Sequence, residues 1–155
     1  IGSEIRVTND PGDSAWPDLA WNGSEWAMVW HDTRAGNQEI YFTRLSATGV
    51  KQGGDIRLTT ASGTSANPSI DWNGSEYGVS WHDNRGGGTY AIYYAPVAVT
   101  GVKTSADLKV STGSAHSRYT TALWNGSQFA FAWKDDRDAP LGNSELYFAY
   151  VGCPP

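Results

Sequence analysis

A chain of 155 residues, 39% hydrophobic and carrying eight tryptophans and eight tyrosines, can bury one ordinary core, which excludes a disordered segment. Eleven Lys and Arg against sixteen Asp and Glu give a formal charge of −5, so neither nucleic acid nor an anionic membrane surface is expected as a partner. No apolar run is long enough to cross a bilayer, and the eighteen glycines among many Thr, Val, Ile, Trp and Tyr favour strands and tight turns over helices.

The first predicted element is a short strand at EIRVT, residues 4–8. Four strands, called a to d, follow at 16–21, 25–32, 38–45 and 54–59. The pattern then returns twice, because Trp21, Trp72 and Trp124 align at intervals of about fifty residues, as do Asp32, Asp83 and Asp135. The blocks are 16–59, 67–111 and 119–151. Repeats of this length built from short strands predict β-propeller blades, each too thin to bury both faces alone.

Asn-Gly joins strand a to strand b in every block (22–23, 73–74, 125–126), which predicts type I′ turns rather than glycosylated sequons. Strand b alternates a bulky side with a small one. Trp26, Met28 and Trp30, then Tyr77, Val79 and Trp81, then Phe129, Phe131 and Trp133 form the bulky side. Ala27 and Val29, Gly78 and Ser80, and Ala130 and Ala132 form the small one. Bulky faces should fill small faces of neighbouring blades, with Trp21, Trp26 and Trp30 in the core.

EIRVT matches DIRLT (55–59) and DLKVS (107–111), so residues 4–8 read as a strand d without its blade. ELYFAYV (145–151) matches strand c (39–45), and no strand d is seen after it. The expectation is a homodimer closing one six-bladed ring, with residues 4–8 pairing with strand c of the other chain's third block. A fragment of a longer propeller is the competing reading. Cys153 is the single cysteine, expected as a free thiol or an interchain disulfide.

The pattern W-x-D-x-R followed by E-I-Y-F, at Trp30, Asp32, Arg34 and Glu39 to Phe42, resembles repeats of bacterial sialidase-like extracellular β-propeller proteins. The resemblance implies a propeller located outside the cytoplasm, extracellular or periplasmic. The Ser-x-Asp-x-Gly-x-x-Trp box of sialidases is missing, and only Arg118 could stand for their arginine triad. The inferred ring is similar in logic to small oligomeric propeller lectins.

Loops b–c and d–a should share one rim, where a ligand would be met. Candidate ligand-binding residues there are Asp32 with Arg34, Asp83 with Arg85, Asp135 with Arg137, then Arg118 and the aromatic pair Trp16 and Tyr119. His31 and His82 give way to Lys134 in the third block, so no metal site is read there, and no cofactor is expected. No carboxylate pair of hydrolytic type stands out, so the expectation is a non-enzymatic, multivalent carbohydrate-binding module. A structural or protein-interaction propeller is the first alternative, and a sialidase-like glycoside hydrolase the second.

Overall fold

A computed structural model describes residues 2–139 and 143–152, so Cys153 lies outside the described residues. The described residues form eleven strands in three antiparallel sheets, and no helix among them is long and apolar enough to cross a membrane. The first sheet orders β1 (Ser14–Trp21), β2 (Glu25–Asp32), β3 (Glu39–Ser46) and β4 (Lys51–Arg57) as consecutive neighbours. The second repeats this with β5 (Ser65–Trp72), β6 (Tyr77–Asp83), β7 (Ala91–Val97) and the two-residue β8 (Leu108–Lys109). The third holds β9 (Ser117–Trp124), β10 (Phe129–Asp135) and β11 (Glu145–Val151).

The alternation along strand b sets the core. Ala27, Val29, Ile40 and Phe42 of the first sheet pack against Ile70, Tyr77, Val79 and Trp81 of the second. Ile92 and Tyr94 of the second sheet pack against Phe129, Phe131 and Trp133 of the third. Bulky face meets small face at both junctions, as close packing requires. Gly78 belongs to the small side for a steric reason: a Cβ there would collide with the Phe129 ring.

Two local expectations are corrected. The Asn-Gly connection does not place positive φ at both residues; Gly23, Gly74 and Gly126 alone adopt it, at 98°, 100° and 100°. Asn22 N–H donates to Glu25 O, leaving Gly23 and Ser24 as the central residues, with positive φ at the first, as in type II′ turns. The Asn22 side chain has another task, its Oδ1 accepting the backbone N–H groups of Ser24 and Glu25 at 2.9 Å each. Trp30 is buried, but Trp21 and Trp26 remain 40% and 37% exposed, because no sheet among the described residues covers the bulky side of the first one.

Candidate functional site

The b–c and d–a loops meet on one rim. Thr33 N–H donates to Asp13 O, Asn84 N–H to Thr64 O, and Asp136 N–H to His116 O, at 3.0–3.2 Å. Behind these contacts, each sheet carries the same clasp. Asp32 accepts hydrogen bonds from Ser14 Oγ (2.7 Å), Trp30 Nε1 (3.0 Å), Arg34 N (2.9 Å) and an Arg34 guanidinium nitrogen (2.6 Å). Asp83 is held alike by Ser65, Trp81 and Arg85, and Asp135 by Ser117, Trp133 and Arg137.

All three carboxylates are almost fully buried. Burial alone would raise their pKa, but the hydrogen bonds from Arg, Trp and Ser outweigh it and hold all three below the usual carboxylate range. The arginines are likewise engaged. Arg34 pairs with Asp55 at 2.9 Å and lies over the Tyr41 ring, and Arg85 pairs with Asp107 at 2.8 Å over Tyr93. Arg137 lies over Tyr147, and among the described residues its ion pair is with Asp135. Arg118 reaches Asp136 at 2.9 Å. The rim's Asp–Arg pairs are thus turned inward and bound to their own loops.

Trp16 and Tyr119 have another setting. The innermost strands β1, β5 and β9 each carry a bulge, seen as register shifts between Ala15 and Asp18, between Ala66 and Ser69, and opposite Ala132 to Lys134. At the bulges stand Trp16 (φ 55°), Asn67 (φ 49°) and Tyr119 (φ 59°), which alone among the described non-glycine residues have positive φ. Left-handed backbone is costly for a bulky side chain, and a following proline, as at Pro17 and Pro68, ordinarily favours extended backbone. Conformations of this kind persist only where neighbours enforce them.

At two of the three bulges the preceding sheet supplies a hydrogen bond. His31 Nδ1 accepts the Asn67 N–H at 3.2 Å, and His82 Nδ1 accepts the Tyr119 N–H at 3.3 Å. Only a neutral ring can accept at that nitrogen. Burial supplies the neutral form, lowering the pKa of His31 and taking that of His82 down to about 4, with Arg118 adding to the latter. The two histidines therefore have a positioning role, which their side-chain types alone did not disclose.

The bulges turn Trp16 and Tyr119 outward, 60% and 51% exposed, with ring centroids 6.4 Å apart and planes inclined by 36°. They flank a cleft of about 270 Å³ that Pro17, Asp18, Asn67, Pro68, Ser69, Thr120 and Thr121 complete. Asp18 is the carboxylate of this lining; its Oδ2 accepts Ser69 Oγ (2.8 Å) and Ile70 N–H (3.0 Å), tying the first innermost strand to the second. Asn67 was missing from the sequence-derived candidates, although it occupies the same repeat position as Trp16 and Tyr119.

No family model matches the chain, and no curated protein matches it. Solved structures do. An α-L-arabinofuranosidase from Lactobacillus brevis aligns with TM-score 0.63 and 11% identity, covering 94% of this chain and 56% of that one. An α-L-arabinanase from Cellvibrio cellulosa, complexed with arabinohexaose, gives 0.59 and 12%, over 94% and 56%. A subtype N10 neuraminidase-like protein of the strain A/little yellow-shouldered bat/Guatemala gives 0.59 and 10%, over 94% and 43%.

The chain therefore has a β-propeller fold of sialidase-like kind and spans about half the length of these similar structures. The expectation of a non-enzyme is corrected by the same finding. Structures named as arabinanase and arabinofuranosidase share this fold, so it is one on which glycoside hydrolysis is carried out.

Proposed function

We propose that the chain acts on carbohydrate, as part of a glycoside hydrolase of propeller type, with the sugar seated in the cleft between Trp16, Asn67 and Tyr119. The observation that supports this reading above others is the repeated left-handed bulge, which spends backbone strain to display side chains at one place. Two aromatic faces beside hydroxyl and amide groups suit a sugar ring, whose C–H face stacks while its hydroxyls hydrogen-bond. Glycoside hydrolysis requires two carboxyl groups about 5–10 Å apart. Asp18, the carboxylate that lines the cleft, is the candidate for one of them. A six-bladed ring of two chains, working outside the cytoplasm, is the assembly this function uses.

Arabino-oligosaccharides and a panel of other neutral and acidic glycans provide the test, since Trp16 is an exposed fluorophore at the site. Binding should perturb tryptophan emission, and reducing ends should be released by the native protein and not by Asp18→Asn. Binding that persists with no release would favour the lectin reading. A panel that neither shifts the emission nor is cleaved would overturn the carbohydrate assignment.

A further inference from the structure

The two junctions within the chain define how one sheet docks on the next, and the outer faces of the array carry the unmatched halves of that rule. On the small side, Ile40 and Phe42 of the first sheet are fully buried beneath the second. Their counterparts on the third sheet, Leu146 and Phe148, are 85% and 67% exposed. On the bulky side, Tyr77 and Phe129 are covered, whereas their counterpart Trp26 lies open with Leu19 and Trp21 beside it. The bare bulky face of the first sheet thus fits the bare small face of the third, which a second copy can present.

Residues 4–8 sharpen this match. Ile5 packs against Gly49 in the turn between β3 and β4, as Ile56 packs against Gly101 in the corresponding turn of the second sheet. Lys51 Nζ also donates to Val7 O at 3.0 Å. The segment therefore lies against the first sheet as strand d of a preceding sheet would, with no such sheet among the described residues.

The side chains identify which strand c it expects. In the first sheet Glu39 is fully buried, accepting from an Arg57 guanidinium nitrogen at 2.8 Å, from Asn37 Nδ2 at 3.0 Å and from Thr59 Oγ1. Thr59 Oγ1 in turn accepts the Ile40 N–H at 2.8 Å. The second sheet has Ala91 in place of the glutamate and Lys109 and Ser111 in place of the arginine and threonine. The third sheet restores the glutamate acceptor as Glu145, with Asn143 at the position of the donor Asn37, and Glu145 is exposed. Residues 4–8 restore the donor set, with Arg6 and Thr8, and Arg6 Nε already bonds Thr8 O at 2.8 Å as Arg57 Nε bonds Thr59 O at 2.7 Å. Glu4 stands where Asp55 and Asp107 pair with Arg34 and Arg85, which is the partner that the Arg137 clasp lacks among the described residues.

Resting on the two-chain ring of the proposed function, we propose that Arg6 and Thr8 of one copy lock onto Glu145 of a second copy, with Glu4 completing the Arg137 clasp. The exchange is reciprocal, so two locks form and both pairs of bare faces are covered. The ring then sets two trios of Trp16, Asn67 and Tyr119 around one axis.

A charge swap tests the lock. Native mass spectrometry and light scattering should show the wild-type chain as two 16.8-kDa protomers. Arg6→Glu alone and Glu145→Arg alone each set like charges at both locks, and the dimer dissociation constant should rise on the order of 100-fold or more. Mixed one to one, the two variants should recover a dimer, because one lock is then native and the other is its charge-reversed form. Circular dichroism of each variant shows that the loss is not unfolding. A wild-type monomer would sink the ring itself. A dimer that neither single variant weakens, or folded variants that stay apart on mixing, would overturn the lock and leave the ring standing.

Discussion

The rim clasps and the axial bulges both occur three times, yet they repeat in different ways. In the clasps the residues repeat: Ser14, Trp30, Asp32 and Arg34 return in kind as Ser65, Trp81, Asp83 and Arg85, then as Ser117, Trp133, Asp135 and Arg137. In the bulges the backbone repeats while the residues change, from Trp16 to Asn67 to Tyr119. A fixed side-chain set closed upon itself builds the sheet. A fixed conformation carrying varied, exposed side chains presents a surface, and that is where the proposed ligand is placed.

The difference predicts its largest effect at a clasp. Asp83→Ala removes a buried acceptor from Ser65, Trp81 and Arg85 and leaves the Arg85 charge short of a partner. Loss of one member of such a set costs about 3–5 kcal/mol. Urea unfolding should show this as a lower midpoint. A cost below about 1 kcal/mol would mean that the clasp is not what holds the rim.

The histidine supports separate the two regions by pH. His82 titrates near pH 4 in the folded chain, against an unfolded value of 6.5, so the unfolded chain takes up the proton first as pH falls. Stability should drop between about pH 6.5 and 4 by a few kcal/mol, on the order of 3, and level off with respect to this group below 4. The clasp carboxylates act in a lower window. Their folded pKa values are depressed from 3.8, so their contribution is complete above that value and is lost as pH falls further. In His82→Gln the upper phase should shrink and the lower one persist; an unchanged upper phase would assign it to another group.

Much of this division could be read from the sequence, and the limits have physical causes. The alternation along strand b identified Trp30, Trp81 and Trp133 as core and paired bulky with small faces, because a period of two leaves little choice once one face is buried. Trp21 and Trp26 follow the same pattern but stay open, since periodicity says which way a residue points and not whether a neighbour stands there. Asp32 and Arg34 were visible as residues. Whether their hydrogen-bonding capacity faced a ligand or their own loop depended on Ser14 and Asp55, distant in the chain. The bulges were the least legible, because Pro17 and Pro68 argue for extended backbone at Trp16 and Asn67, and the hydrogen bond that Asn67 N–H makes to His31 joins residues far apart in the chain.

Trp16→Gly gives the smallest change in stability and the cleanest separation of building from function. Trp16 makes its ring contact with Tyr119 across an open cleft, and its φ of 55° is a conformation glycine adopts without a Cβ penalty. Relief of strain and the greater freedom of glycine in the unfolded chain act in opposite directions at about 1 kcal/mol each, so the unfolding midpoint should hardly move. Glycan binding, by contrast, should weaken about three- to tenfold, the value of one lost aromatic face. A loss of more than about 2 kcal/mol in stability would show that the indole holds the bulge in place. The varied residue would then belong with the clasps, and the distinction between repeated residues and repeated conformation would fail at the position chosen to display it.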